Sequence, residues 1–353
     1  MTLGIVDVGT NSIHLLIGIL GMNGKFHVIL KERDLTRLGE DGLARGSLTN
    51  EAMRRALAVL HRYVGIMTRC GVDHVEAVAT SAVREASNGR AFVRRVRTQL
   101  GIPLRIISGR EEARLIYLGV MQTHRFRRAT LLVTIGGGSA QVIHGDGVQL
   151  RYATSVLLGG ARLAQQFIRR DPPTAESLDA LRRHVNRTWA PIARALHRYR
   201  WQDALGSSAT IHQLMMAAYW QAHRRTPKAH EQLLITHRAL RELVDWLSSS
   251  TSAERVKLDG LDPRREDLAL PTGIALLGWM EACGVRRLRY AYGSIREGLV
   301  VDYLIRHHLG GTQRIEPPLS ELFSADGISD LALPGLRRIA RRAKRARRRM
   351  SHR

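Results

Sequence analysis

The sequence predicts an α/β protein of two similar domains, and three observations carry that prediction. Residues 3–18, LGIVDVGTNSIHLLIG, read as a strand, a tight polar turn and a returning strand. Residues 130–145, TLLVTIGGGSAQVIHG, align with them without a gap, setting Thr134 on Asp7, Gly136 on Gly9 and Ser139 on Ser12. Elsewhere strand-length apolar runs alternate with stretches of helical periodicity, the pattern of a mixed sheet with crossover helices. Glycine or small residues also stand at five predicted strand ends: Asp7 to Ser12, Ser108-Gly109, Gly136 to Ser139, Gly206 to Ser208 and Gly293-Ser294. Ligands of α/β sheets settle at the carboxyl ends of strands, so these turns are expected to converge on one crevice, with the two glycine hairpins facing a shared cleft.

Taken in order, FHVILK (26–31) predicts a third strand and the Gly-spaced stretch 31–46 a loop. Thr49 or Asn50 caps a helix whose apolar positions Met53, Leu57, Leu60, Val64 and Met67 recur at helical spacing and stop near Gly71. VEAVAT (75–80) predicts a buried strand, then come a helix over 82–100, the strand LRII (104–107) and a helix from Ser108 to about Thr123. The first domain is placed at 1–124 and the second at 125–308. The second begins with the glycine hairpin and the strand RYATSVLL, followed by helices over 161–170, 175–198, 208–223 and 230–249. The strand in DALGSSATIHQL interrupts them; a helix over 267–283, the strand RRLRYAY and a helix from Gly293 to His308 complete the domain. Residues 309–336 read as a Gly/Pro/Ser-rich linker and 337–353 as an Arg-rich basic tail.

A chain of 353 residues with 44% hydrophobic content supports two ordinary cores. Its formal net charge of +24 is the unusual quantity. Ten Lys and Arg lie between 337 and 353, and without them 45 basic residues still face 31 acidic ones, so the body itself carries +14. Such a surface favours polyanions and says nothing about fold. Cys70 and Cys283 have no CxxC partner and read as apolar residues of a reducing cytosol. The N-terminal apolar run is broken by Asp7, Asn11, Ser12 and His14, so it reads as neither a signal peptide nor a membrane span.

Small side chains let backbone amides close on an anion, which makes phosphate the natural ligand of the loops Gly9-Thr10-Asn11-Ser12 and Gly136-Gly137-Gly138-Ser139, and Gly206-Ser207-Ser208 is a third small-residue loop. Asp7 follows an apolar strand and faces such amides, a costly position for a carboxylate unless a metal or a donor pairs with it. Glu112 lies in the first turns of its helix, where an acid either complements the helix dipole or does chemistry. Arg84 and Arg265 could each grip phosphate or be solvated charges. The fifteen histidines show no HxH or HExxH spacing, which argues against a transition-metal site.

With these residues in view, the chain resembles the Ppx/GppA family of exopolyphosphatases and guanosine pentaphosphate phosphohydrolases. The resemblance runs from Leu3 to Leu304 through DVGTNSIHLLI, ATSAVREASN, ISGREEARLIYLGV, TIGGGSAQVI, SVLLGGARL, LGSSATIHQL and YGSIREGLV, with Arg265 and Asp267 placed before Pro271. It implies two actin-like domains of ribonuclease H-like topology, of the sugar kinase, Hsp70 and actin superfamily, around a central cleft. It also implies release of terminal orthophosphate from inorganic polyphosphate, with conversion of guanosine pentaphosphate to the tetraphosphate as a related activity. By the same resemblance Glu112 is the general base that activates a water, Asp7 and Glu112 hold Mg²⁺, and the three loops with Arg84 and Arg265 bind substrate. The expected partners are inorganic polyphosphate or guanosine tetra- and pentaphosphate, with the tail touching polyanions, a homodimer as the candidate assembly and the cytoplasm as the compartment.

The chain departs from the family pattern at three positions. Thr134 stands where the second loop usually carries Asp, Ala140-Gln141 where Thr-Glu is usual, and Ala209 where glycine is usual. Two carboxylates are thereby deleted from the wall expected to bind metal. The second expectation is therefore a catalytically impaired protein that senses polyphosphate or guanosine polyphosphates.

Overall fold

The computed structural model describes residues 1–21, 26–124, 128–147, 149–228 and 231–308. The linker 309–336 and the basic tail 337–353 lie outside the described residues. The chain divides into one unit formed by Met1–Arg125 and the segment from Gly293, and a second formed by Phe126–Tyr292.

The first unit contains β1 (Thr2–Val8), β2 (Ile13–Leu20), β3 (Phe26–Asp34), α1 (Asn50–Arg69), β4 (His74–Ala79), α2 (Ser81–Glu85), α3 (Gly89–Leu100), β5 (Leu104–Ile106) and α4 (Gly109–Met121). Its sheet runs β3-β2-β1-β4-β5. The first three strands are antiparallel neighbours, while β1, β4 and β5 are parallel, which brings the carboxyl ends of those three together. Thr49 caps α1 by accepting from the Ala52 N–H, as its residue type predicts. The single helix expected over 82–100 is two, α2 and α3, broken at 86–88. The cause is tertiary: the Asn88 amide accepts from the Leu48 N–H and donates to the Leu48 carbonyl, both at 2.8 Å, and the Ser87 N–H donates to the Gly46 carbonyl.

The second unit contains β6 (Thr130–Ile135), β7 (Ala140–Asp146), β8 (Gln149–Val156), α5 (Gly160–Phe167), α6 (Ala175–Leu196), β9 (Asp203–Ser207), α7 (Ala209–His223), β10 (Leu234–Thr236), α8 (His237–Ser249), α9 (Ser252–Arg255), a 3-10 turn Pro263–Leu268, α10 (Ala269–Ala282) and β11 (Arg287–Tyr290). Its sheet order is β10-β11-β9-β6-β7-β8. Apart from the added edge strand β10, this repeats the first sheet in mirror listing, and both sheets have the ribonuclease H-like order of an actin-like domain. The helix expected over 230–249 begins only at His237, because residues 234–236 pair with β11 instead. The central helix α10 is buried on nearly every side, including Trp279, whose neighbour Trp189 on α6 donates its indole N–H to the Ala275 carbonyl.

The internal repeat is reproduced residue for residue. β1 and β2 pair from Leu3 with Gly18 to Val8 with Ile13, and β6 and β7 pair from Thr130 with Gly145 to Ile135 with Ala140. Even the irregularity against the third strand recurs, between Ile17 and Gly18 in one copy and between His144 and Gly145 in the other.

Among the described residues the final helix, α11 (Ile295–His308), belongs to the first unit, whereas the sequence places it in the second domain. It packs on α4 at backbone contact: a Cβ on Gly298 would overlap the Leu115 carbonyl, and one on Gly119 the Ser294 carbonyl. Ion pairs Arg114–Asp302 (2.6 Å) and Arg306–Glu76 (2.9 Å) flank the contact. Among the described residues no helix is long and apolar enough to cross a membrane.

Gly298→Ala should therefore destabilise the protein by about 1–3 kcal/mol despite alanine's better helix propensity. The comparison is Gly65→Ala on α1, where the new methyl meets only the end of the Arg69 side chain at 3.4 Å and should gain about 0.5–1 kcal/mol. Chemical denaturation of the two variants reads both signs. Equal effects would refute the close crossing.

Candidate functional site

In the first unit the three parallel strand ends deliver Asp7, the Thr80–Arg84 segment and the start of α4. The ends are stitched together, the Thr80 N–H donating to the Val8 carbonyl and the Ile107 N–H to the Ala79 carbonyl, each at 3.1 Å. Ser108 caps α4 by accepting from the Glu111 N–H, and this sets Glu112 in the first turn with its side chain buried. Arg84 reaches it from α2. One guanidinium nitrogen, Nη1, donates to Glu112 Oε2 at 2.9 Å and to the Ile107 carbonyl at 3.1 Å, while Nε donates to Glu85.

Burial pushes Glu112 up to about 7, and the neighbouring Asp7 and Glu85 charges add to the rise, although the charge and hydrogen bond of Arg84 pull the other way. Burial likewise lifts Asp7 to about 6, with the Arg296 charge opposing and the Glu297 charge assisting. The Asp7 charge bears on Glu112, so the two acids titrate as a coupled pair. Among the described residues Asp7 Oδ1 is buried without a hydrogen-bond partner, as are the hydroxyls of Ser12 and Ser81.

Arg296 and Glu297, which the sequence reading left inside a motif without a role, stand beside Asp7 at the start of α11. Arg296 contacts His14 Nδ1 at 3.3 Å, and His14 is the residue opposite Asp7 in the hairpin. The Ser294 hydroxyl donates to Glu297 at 2.6 Å, and Lys31 lies 3.7 Å from the same carboxylate. Burial works to raise Glu297, yet Arg296, Ser294 and Lys31 outweigh it and hold the group below its usual range. The sequence signal for this pair is the motif YGSIREGLV, which follows a predicted strand.

The hairpin loops share one construction. The Gly9 N–H donates to the Ser12 carbonyl at 3.0 Å, and the Gly136 N–H donates to the Ser139 carbonyl at 2.9 Å. In the first loop the Thr10 and Asn11 carbonyls accept from Gly39 and Arg37. In the second the Gly136 and Gly137 carbonyls accept from the N–H groups of Gly160 and Arg162, and the Gly138 carbonyl from Arg162 Nε. Gly159 is required here, since any Cβ would overlap the backbone of Gly137 and Gly138. Among the described residues the N–H groups of Thr10, Asn11 and Ser12, and of Gly137, Gly138 and Ser139, donate to no carbonyl. Loops with carbonyls tied back and amides left over form concave sites for an anion.

Gly206 to Ser208 adjoin the second loop, because β9 runs parallel to β6 with Ser207 beside Thr134. Ser208, the residue before Ala209, has φ +146°, a region that favours glycine, and caps α7 by accepting from the Ile211 N–H. Arg265 is buried in the 3-10 turn, which packs on α5, the helix that ties down the second loop. The two substituted positions, Thr134 and Gln141, sit opposite each other in the hairpin, as Asp7 and His14 do in the first. Gln141 Nε2 donates to the hydroxyls of Ser139 (2.9 Å) and Ser155 (3.1 Å), so an amide donor lies where the resemblance expects a carboxylate.

For a hard cation, the fitting donors lie in the first unit: the orphaned Asp7 oxygen with Glu112 close by. No group of three His, Cys, Asp or Glu side chains is gathered among the described residues. One or two carboxylates completed by water and phosphate oxygens is the donor set that suits Mg²⁺.

The chain as a whole is similar to proteins of known structure. An exopolyphosphatase from Cytophaga hutchinsonii is 27% identical, with a TM-score of 0.79 over 88% of this chain and all of that one. The Ppx/GppA family member of Aquifex aeolicus is 26% identical, with a TM-score of 0.71 over 87% of this chain and 99% of its own. The Ppx/GppA phosphatase family profile matches residues 21–307, and the chain belongs to that family.

Proposed function

We propose that the chain is a phosphoanhydride hydrolase that removes terminal orthophosphate from polyphosphate, and from guanosine pentaphosphate as a related substrate, with Glu112 as general base. The observation that carries this reading is the Glu112–Arg84 pair: a buried carboxylate, held by one oxygen and lifted to about 7, beside a second buried acid. A general base works best when its pKa lies near the operating pH. Arg84 binds Oε2 and leaves Oε1 to take the proton of an attacking water. Asp7 and Glu112 are the residues that would hold Mg²⁺, which when bound offsets the charge of the phosphates. The amides of Thr10, Asn11 and Ser12 bind anionic oxygens in the first unit, and those of Gly137, Gly138 and Ser139 do so in the second. Phosphoryl transfer asks little beyond such positioning and charge stabilisation.

A second reading has its own support in Thr134 and Gln141. The second hairpin keeps its amides and loses both acids, which preserves anion binding and weakens cation binding. On that reading the protein is a sensor that binds polyphosphate or guanosine polyphosphates without turning them over.

Phosphate release with Mg²⁺ separates the two readings. Glu112→Ala should lower kcat by ~10²–10⁴ with KM little changed. No turnover by the native protein, together with tight binding and activity gained by Thr134→Asp/Gln141→Glu, would establish the sensor instead.

Proton linkage gives a check that needs no substrate. Asp7 rises from 3.8 to about 6 on folding and Glu112 from 4.5 to about 7. Each binds its proton more tightly in the folded state, so their stabilising contribution is full below pH ~4 and lost as pH rises through 6 and 7. Without metal, Asp7→Asn should be more stable than the native chain at pH 8 by about 1–3 kcal/mol, and the gap should close by pH 4. Adding Mg²⁺ at pH 8 should raise the melting temperature of the native chain and leave that of Asp7→Asn unmoved. A pH-independent difference would remove the buried-acid premise.

A further inference from the structure

The second unit carries an aromatic cluster that phosphate binding does not use. Tyr292 is 63% exposed, the most exposed of the large apolar side chains among the described residues. Its ring stands at 89° to that of Tyr290, with centroids 4.9 Å apart, and both adjoin His212, at 6.4 Å from Tyr292 and 4.8 Å from Tyr290. Tyr290 and His212 are partly buried and brace the outer ring from within.

The cluster is fixed to the strained turn. Tyr290 pairs with Gly206 in the sheet, the Ala291 N–H donates to the Gly206 carbonyl at 2.9 Å, and the His212 N–H donates to the Ser208 carbonyl at 3.0 Å. Each aromatic residue is thus within two positions of a hydrogen bond or pairing to Gly206–Ser208, and that turn is the neighbour of the second amide loop. Burial pushes the His212 imidazole below its usual range, which favours the neutral ring.

A linear phosphate chain has no apolar face and gains nothing from an exposed tyrosine. A nucleobase joined to phosphates does, because stacking on aromatic side chains is favourable for any base. We propose that Tyr292, backed by Tyr290 and His212, is a stacking platform for the base of a nucleoside polyphosphate whose phosphates lie at the Gly206–Ser208 turn and the second loop. This rests on the phosphate-binding role of those loops. It makes Tyr292 the residue that separates nucleotide from inorganic substrates.

Calorimetric binding of the β,γ-imido analogue of guanosine triphosphate and of inorganic tripolyphosphate tests the platform without turnover. The native chain should bind the nucleotide more tightly than tripolyphosphate. Tyr292→Ala should weaken the nucleotide by about tenfold and tripolyphosphate by less than about twofold, and Tyr292→Phe should restore the nucleotide affinity. An unchanged nucleotide affinity in Tyr292→Ala, or equal losses for both ligands, would overturn the platform. Native binding of tripolyphosphate without the nucleotide would overturn it too while leaving the phosphate loops standing; binding of neither would remove both.

Discussion

Keeping two carboxylates out of water at the ends of parallel strands is the constraint around which the first unit is arranged. A buried acid is tolerated when a counter-charge, a donor or a bound proton meets it, and here each device is used in part. Arg84 meets one oxygen of Glu112, Arg296 offsets Asp7, and burial still lifts both acids into the range of physiological pH. Placing these groups in reach of one another requires β1, β4 and β5 to end together, which the parallel order guarantees. It also requires α11 to come back to the first sheet, since Arg296 and Glu297 arrive on that helix. The glycine contact between α4 and α11 is therefore part of the site's electrostatics as well as of the fold.

The hairpin loops show the complementary principle. A four-residue turn closed by a single backbone bond has more polar groups than partners, and the protein has resolved the surplus in one direction, with carbonyls satisfied and amides left. In the second copy this takes a helix start, α5, pressed against the loop through Gly159 and Gly160. The result is a set of backbone amides with the geometry that suits an anion.

Much of this was legible in the sequence, and what was missed has a common cause. Both hairpins could be read because alternating apolar residues and glycine turns are local signals, and the gapless alignment of 3–18 with 130–145 already contained the pairing register later seen in the sheets. The Thr49 and Ser108 caps were local too. The break between α2 and α3 was not, since it depends on Asn88 binding Leu48, 40 positions earlier. β10 owes its existence to β11, more than fifty residues on, and three residues are too few to show a period. The place of α11 is decided by backbone contact between Gly298 and Leu115, and no window of sequence contains both. Arg84 and Glu112 were each picked out singly; that they form a pair, and that Arg296 and Glu297 join Asp7, became visible only once the strand ends were assembled.

The comparison of the two hairpins separates what the backbone needs from what the chemistry needs. Register, bulge and turn closure are identical in the two copies, so the geometry that exposes loop amides tolerates a wide choice of side chains. At the paired positions the copies differ completely in charge: Asp7 opposite His14 in one, Thr134 opposite Gln141 in the other. Gln141 has found hydrogen-bond partners of its own in Ser139 and Ser155, whose hydroxyls would donate to a carboxylate and here accept from an amide. This hairpin presents an anion with loop amides and a cation with no carboxylate at its paired positions.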